Sequence, residues 1–132
     1  MKNPLLIATL LTVALPVARA GGIESLMDNY RNAGTSGFSA ARGKAFWMQS
    51  HTIDGEQRAC SSCHTSDPAS PGKHAKTGKT IEPMTIAANP ARFTNSAKVE
   101  KWFRRNCKWT LGRECTSQEK GDVLTWLAGQ QE

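Results

Sequence analysis

The chain has 132 residues, and its 17 Lys and Arg against 11 Asp and Glu give a formal net charge of +6 at pH 7. This length allows one small domain. With 39% hydrophobic and 21% charged residues, the composition is that of a globular protein, and it excludes an intrinsically disordered or membrane-embedded chain.

The first 20 residues have the pattern of a secretory signal peptide. A lysine precedes an apolar stretch over 5–17, and Ala18-Arg19-Ala20 follows it as a small-residue cleavage site. The apolar stretch is too short to span a bilayer and contains Pro16, which disfavours a retained membrane anchor. We predict cleavage after Ala20, which leaves residues 21–132 as an exported domain in a secreted or periplasmic location.

Apolar residues at helical spacing predict helices over about 23–33, 39–50 and 96–106, and from Thr116 or Ser117 to Gly129. The stretch from about 65 to 95 is scattered with proline and glycine, so it is expected to be irregular. So long an irregular stretch makes sense in a compact domain if it wraps a group that is not protein. No alternating run is long enough for a convincing strand, so the predicted fold class is all-α, small and loop-rich.

The segment Cys60-Ser61-Ser62-Cys63-His64 is the pattern of covalent haem attachment. Two thiols add to the porphyrin vinyl groups, and the adjacent imidazole becomes the proximal ligand of the iron. A thioredoxin-like redox pair is disfavoured because no strand is predicted before the motif. A zinc site needs two more ligands, for which Cys107 and Cys115 are available, although an exported protein more often oxidises such a pair. The motif therefore predicts one covalent haem c.

Two helices on either side of the motif are similar to the N- and C-terminal helices that cross in class I cytochromes c. Gly43 and Phe46 precede the motif, and Trp126 lies in the last helix. In class I cytochromes a glycine and an aromatic on one helix meet an aromatic on the other. We therefore expect a small class I cytochrome c-like helical fold around the haem; the alternative is that these are unrelated core positions.

Met84 is the first candidate for the second axial ligand of the iron. A class I electron carrier takes this ligand from a methionine close before its last helix. Met84 is the only methionine after His64, but it precedes Glu119 by 35 residues, with a predicted helix between them. The alternative role for Met84 is a methionine that lines the haem pocket.

Three further residues are candidates for the same position. His51 ends the helix before the motif, on the proximal side by class I geometry, and His74 lies in a lysine-rich stretch. Asn106 continues an apolar stripe of its helix, so its amide is expected to be buried and to need partners. The alternative is that Asn106 ends the helix in a left-handed conformation, which asparagine tolerates.

Segments 89–94, 99–107 and 111–116, with 119–122, resemble the sphaeroides haem protein (SHP) family of oxygen-binding cytochromes c. The pattern Arg-Asn-Cys followed by Gly-Arg-Glu-Cys-Thr is specific to that family. The resemblance implies a class I-like monohaem cytochrome in which an asparagine binds ferric iron and leaves on reduction. The residues it assigns are Cys60 and Cys63 for covalent attachment, His64 as proximal ligand, Asn106 as distal ligand in the ferric state, and Cys107 with Cys115 as a disulfide.

The resemblance also implies ligands and partners. Members of the family bind O2, NO and other small ligands when reduced, and they are associated with a dihaem cytochrome c and a membrane cytochrome b as electron donors. An amide oxygen is a hard donor that suits Fe(III) better than Fe(II), so its ligation weakens on reduction. A disulfide next to Asn106 would restrain the ligand segment and stabilise the fold by roughly 2–3 kcal/mol.

Three classes of function follow from these observations: a haem protein that binds small ligands, a simple electron shuttle with Met84 on the iron, and an enzyme such as an NO dioxygenase or peroxidase. No acid/base pair of the peroxidase kind can be read from the sequence. Export argues against nucleic acid as a partner. The basic residues favour either an acidic redox partner or counter-ions for the haem propionates; they are Lys73, Lys76, Lys79, Lys98, Lys101, Arg104 and Arg105.

Overall fold

The computed structural model describes residues 21–129; the predicted signal peptide lies outside them. The helices are α1 (Gly21–Asn32), α2 (Ala40–Met48), α3 (Ser61–His64), α4 (Ser96–Leu111) and α5 (Ser117–Gly129). The strands form two antiparallel pairs, β1 (His51–Ile53) with β2 (Glu56–Arg58) and β3 (Gly72–Lys73) with β4 (Thr80–Ile81). The predicted all-α class is confirmed. Within 21–129 no helix is both long and apolar enough to cross a membrane.

Helices α2 and α5 cross in direct backbone contact at Gly43. A Cβ atom placed on this glycine would lie 2.1 Å from the carbonyl oxygen of Asp122, so only glycine fits there. One turn further along α2, the rings of Trp47 and Trp126 meet edge to face with centroids 5.5 Å apart. The predicted crossing of these two helices is therefore confirmed, although the aromatic of α2 that meets Trp126 is Trp47 and not Phe46.

The buried carboxylate of Asp122 on α5 also holds α2 and α5 together at this crossing. Asp122 accepts hydrogen bonds from the backbone N–H of Ser39 at 2.7 Å and from Arg42 Nε at 2.8 Å. The amide of Gln118 donates to it as well. Burial opposes ionisation of Asp122, but these donors outweigh burial and lower its pKa.

Helix α1 packs on α5 through a core that includes Ile23, Leu26 and Leu124. A polar cluster joins both helices to α4. Glu100 of α4 accepts a hydrogen bond from the Tyr30 hydroxyl and forms an ion pair with Lys120 Nζ at 2.7 Å. Because the Tyr30 and Lys120 side chains are largely buried, this cluster fixes the first half of α4 against the core.

The hairpin β1–β2 was not predicted, because its strands are only three residues long. His51 lies in β1 and not at the end of a helix, since α2 stops at Met48. The turn is formed by Asp54 and Gly55, both with positive φ, at 53° and 80°. The Asp-Gly pair is a strong hairpin signal and was the sequence feature that could have revealed this element.

Helix α4 is longer than predicted and ends at Leu111. Gly112 closes it in the left-handed conformation, with φ of 72°, and donates its N–H to the carbonyl of Lys108. Asn106 consequently lies inside the helix. The alternative that Asn106 ends the helix in a left-handed conformation is wrong.

Candidate functional site

A cavity of about 850 Å³ lies between α4 and the segment around α3. This volume is within the range of about 300–1,000 Å³ typical of small-molecule and cofactor sites. Of the residues that the sequence offers for haem attachment or iron ligation, His51 is not in its wall. Those that line it are Cys60, Cys63, His64, His74, Met84 and Asn106.

The Cys60–His64 segment forms a single helical turn against the cavity. His64 donates its backbone N–H to the carbonyl of Cys60 at 3.1 Å, and Thr65 ends the turn with φ of 65°. The backbone of Gly72 covers this turn so closely that a Cβ there would lie 2.2 Å from the Cys63 carbonyl oxygen. The three motif side chains therefore share one short, enclosed segment.

The sequence argument against a redox pair does not hold, but the chemistry of Cys60 disfavours such a pair. Contrary to expectation, strand β2 stands directly before the motif, although it belongs to a two-stranded hairpin. Burial raises the pKa of the Cys60 thiol to about 11. A redox-active cysteine needs a lowered pKa, because the thiolate is the nucleophile.

The zinc alternative is excluded by the second pair of cysteines. Cys107 and Cys115 form a disulfide, with Cα atoms 5.6 Å apart, so they are not available to complete a site with Cys60 and Cys63. Across the described part of the chain, no group of three or more His, Cys, Asp or Glu side chains is arranged to hold a metal ion.

The imidazole of His64 is enclosed on one side and open on the other. Its Nδ1 is buried and has no hydrogen-bond partner among the described residues, which leaves Nε2 to face the cavity. The ring of Trp47 packs on it with centroids 5.3 Å apart. Burial, aided by the Arg92 charge, lowers the pKa of His64 to about 4, so the ring is neutral at pH 7 and able to bind a metal.

One face of α4 forms the opposite part of the lining. Val99, Trp102, Phe103 and Asn106 follow each other at helical spacing and all line the cavity. Asn106 is exposed to this cavity, so protein does not bury its amide as the apolar stripe predicted. The stripe lines a cavity at this point, and it does not pack against protein.

His74 and Met84, the two remaining candidates for the second iron ligand in the lining, differ in whether their donor atom is free to bind a metal. His74 Nδ1 accepts hydrogen bonds from the backbone N–H groups of Lys76 and Thr77 at 3.3 and 3.2 Å. A neutral His74 in this turn therefore carries its proton on Nε2, which then cannot bind a metal. Met84 is half-buried and packs against the core, with no such restriction.

The cavity lining includes one cation, Arg92, that sequence reasoning did not assign to it. Half-buried Arg92 donates to the carbonyls of Pro83 and Glu82 at 2.7 and 2.5 Å. Within residues 21–129 it forms no ion pair, and burial lowers its pKa. Lys76, Lys98 and Arg105 also line the cavity. A cavity of this kind suits a largely apolar ligand that carries carboxylates.

Sequence reasoning also missed Trp109, which lines the cavity near the end of α4. Its signal was weak, since α4 was expected to end at Asn106. The helical spacing of Trp102, Asn106 and Trp109 was the feature that could have found it.

Comparison with known proteins identifies one matching family and two related cytochromes. The family described as a domain of unknown function, DUF1924, matches residues 33–127. The chain is 42% identical over 106 residues to the cytochrome c-type protein SHP of Cereibacter sphaeroides, with 80% of this chain and 81% of that protein covered. It is 34% identical over 134 residues to cytochrome c'' of Methylophilus methylotrophus, with 96% and 93% covered.

Solved structures agree with this relationship. The structure of oxidised SHP, an oxygen-binding cytochrome c, matches with a TM-score of 0.76 and 39% identity, over 82% of this chain and 96% of that one. Oxidised cytochrome c'' matches with a TM-score of 0.76 and 33% identity, over 86% and 98%. A solution structure of cytochrome c'', which concerns haem-ligand detachment, has the same TM-score at 32% identity, over 86% and 97%.

The fold and these relatives define a c-type cytochrome with one covalent haem c. The chain belongs to the DUF1924 family, and its resemblance to the SHP family is confirmed. The half-buried cation Arg92 and the neutral imidazole of His64 both fit a haem in this cavity.

Proposed function

We propose that this protein is an exported, periplasmic haem protein that accepts electrons and, once reduced, releases Asn106 from the iron and binds O2, NO or similar small ligands. The observation that carries the proposal is that His64 and Asn106 line the same cavity from two different segments, α3 and α4. The oxygen binding of SHP and the haem-ligand detachment studied in cytochrome c'' support it.

The residues that would hold the haem are Cys60 and Cys63 through thioether bonds and His64 through Nε2. When bound, the haem supplies an iron that changes between ferric and ferrous states and takes up a small ligand at an open coordination position. Trp47 keeps the His64 ring in place by packing against it. Arg92 and the lysines of the wall offer counter-charges to the propionates.

Asn106 would act as the ligand that reduction removes. Its amide oxygen is a hard donor whose preference for iron falls when the metal is reduced. Neighbouring Cys107 is bonded to Cys115, so the backbone that carries Asn106 stays in place relative to the start of α5. A released amide that remains nearby can donate an N–H to a bound ligand.

A second candidate function is a simple electron-transfer cytochrome with Met84 on the iron. Met84 lines the same cavity, is half-buried and precedes the buried Thr85. A thioether prefers the reduced ion, so this arrangement would keep the ferrous protein six-coordinate and closed to external ligands.

The partners that we propose follow the family resemblance. A dihaem cytochrome c and a membrane cytochrome b would deliver the electrons. Exposed lysines and arginines of α4 offer a positive surface to an acidic donor, and the contribution of this surface to the association rate should fall with added salt. They are Lys98, Lys101, Arg104 and Arg105.

The experiment is an absorption spectrum of the reduced holoprotein with and without CO, together with cyanide titration of the ferric form. We expect a high-spin ferrous protein that binds CO, and a ferric protein that resists cyanide. Asn106→Ala should raise the ferric affinity for cyanide at least about tenfold, because no internal ligand then competes for the iron. Ferrous CO binding should change little.

Met84→Ala is the matched variant, since it truncates the other candidate in the same cavity. We expect neither spectrum to change. If instead Asn106→Ala leaves the ferric spectrum unaltered, and Met84→Ala converts a low-spin ferrous spectrum to a high-spin one, the protein is an electron shuttle. Mass spectrometry of the denatured holoprotein checks attachment, because a haem bound through thioether bonds to Cys60 and Cys63 stays on the chain and adds the mass of one haem.

A further inference from the structure

The hairpin β1–β2 connects the segment that attaches the haem to the far end of α4. Arg58 is the last residue of β2 and stands two positions before Cys60. Its Nη1 donates to the carbonyl oxygen of Trp109 at 3.1 Å, and its guanidinium carbon lies 4.9 Å from the centroid of the Trp109 ring. One side chain thus holds both the backbone and the indole of a residue on α4.

The carbonyl of Trp109 belongs to the last turn of α4, where carbonyl groups lack partners within the helix. Arg58 supplies that partner, and its charge is favourable at the negative end of the helix dipole. The Arg58 side chain is only 12% exposed, and Glu56 pairs with it at 2.8 Å. This burial makes the contact stronger than an ordinary surface interaction.

The same contact lies close to the proposed iron ligand. Asn106 stands three positions before Trp109, and both side chains line the cavity, so they share one face of α4. Movement of this end of α4 relative to β2 would therefore change the separation between Asn106 and the Cys60–His64 segment.

We propose that Arg58 is a positioning residue: its contact with Trp109 fixes the separation between the haem-attachment segment and Asn106, and so determines how readily an external ligand displaces Asn106 from ferric iron. The inference rests on the ligation by Asn106 proposed above. Cys107–Cys115 and Glu100–Lys120 hold α4 to α5. Arg58 holds it to the opposite wall of the cavity.

The test is the dissociation constant of cyanide from the ferric holoprotein. Arg58→Gln should raise the affinity about threefold to tenfold, the range expected when a contact between coupled residues is lost. Ferrous CO affinity should stay within about twofold, because Asn106 has already left the reduced iron. Arg58→Lys should recover part of the effect, since it keeps the charge and a donor for the Trp109 carbonyl.

Two further variants separate positioning from general loosening. In the Asn106→Ala background, Arg58→Gln should cause no additional change, because the ligand on which it acts is gone. Arg42→Gln removes a comparable arginine that joins α2 to α5; it should lower the melting temperature without changing cyanide affinity.

The outcomes distinguish the two proposals. If Asn106→Ala changes cyanide binding but Arg58→Gln does not, or Arg58→Gln acts equally with and without Asn106, the positioning role of Arg58 is refuted and the proposed function stands. If Asn106→Ala itself has no effect, the proposed ligation fails and the role of Arg58 fails with it.

Discussion

The indole of Trp47 packs against the His64 imidazole, and its N–H donates a hydrogen bond to the next residue, Thr65. The ring centroids of the two residues are 5.3 Å apart, and Trp47 Nε1 donates to the carbonyl oxygen of Thr65 at 2.9 Å. Trp47 is 3% exposed, so water cannot replace that donor. A helix from before the motif therefore fixes both the ring and the backbone of the proposed proximal ligand.

Trp47→Phe should destabilise the holoprotein by about 1–3 kcal/mol, because it leaves the buried carbonyl of Thr65 without its donor. The measurement is urea unfolding followed by circular dichroism. Met48→Leu, on the next residue of the same helix, is the control and should change little, since Met48 is 45% exposed. Equal stability of Trp47→Phe and the unmodified protein would show that the hydrogen bond contributes nothing.

Gly43→Ala should cost about 3 kcal/mol, because the new methyl group would meet the backbone of Asp122, which cannot move without separating α2 from α5. Thermal unfolding of the two holoproteins measures the loss. Gly129→Ala is the matched change on α5, where a Cβ meets nothing within 4 Å, and it should be neutral. A neutral Gly43→Ala would contradict the close crossing.

Asp122 should make stability depend on pH. Its pKa in the folded state is lowered from an ordinary value of about 3.9. Its ionised form therefore adds stability that is fully present above about pH 4 and is lost as the pH falls through the lowered folded pKa. Asp122→Asn should cost about 1–3 kcal/mol at pH 7 and should flatten the acid limb of the stability curve.

The control for Asp122 is Asp28→Asn, which breaks an exposed ion pair with Arg31. Exposed pairs contribute about 0–1 kcal/mol, so this variant should follow the unmodified protein across the pH range. Denaturant unfolding from pH 7 downwards checks both variants. An Asp122→Asn protein with an unchanged acid limb would contradict the predicted contribution of Asp122.

Arg92→Gln should lower the reduction potential of the haem, because loss of a half-buried positive charge in the cavity favours the ferric state. Spectroelectrochemical titration measures this. Arg92→Lys keeps the charge but loses the paired bonds to the Glu82 and Pro83 carbonyls, so its potential should stay nearer the original. A rise in potential on Arg92→Gln would refute the electrostatic role.

Much of the fold could be predicted because its helices show their burial in the sequence. The stripe of α4 is visible from spacing alone, and the α2–α5 crossing follows from the resemblance of its glycine and aromatic residues to those of class I cytochromes c. The capping of α5 was also readable: Thr116 Oγ1 accepts from the Glu119 N–H, and Glu119 accepts from the Thr116 N–H at 2.8 Å. The α4 stripe and the cap of α5 each depend on residues that are close together in the chain.

The missed features depend on contacts between distant segments. The hairpin β1–β2 is too short to show alternation, and Arg58 reads as an ordinary polar strand residue until α4 is brought against it. Arg92 reads as a surface cation, because its burial comes from the cavity and from carbonyls about ten positions earlier. The helical spacing predicts the correct face of α4 for Asn106. Whether this face packs against protein or lines a cavity could not be predicted, because that depends on distant segments.

The disulfide between Cys107 and Cys115 affects the rate at which Asn106, as the proposed ligand, can leave and rebind the iron. Together with the Arg113–Glu119 ion pair at 2.7 Å, the disulfide holds the end of α4 in a fixed position relative to the start of α5. Under the proposed ligation, Asn106 then leaves and regains the iron by rotating about its own side-chain bonds. Such rotations take picoseconds to nanoseconds, whereas helix shifts take microseconds or longer. The exchange of ligands should therefore keep pace with electron arrival, without waiting for the chain to rearrange.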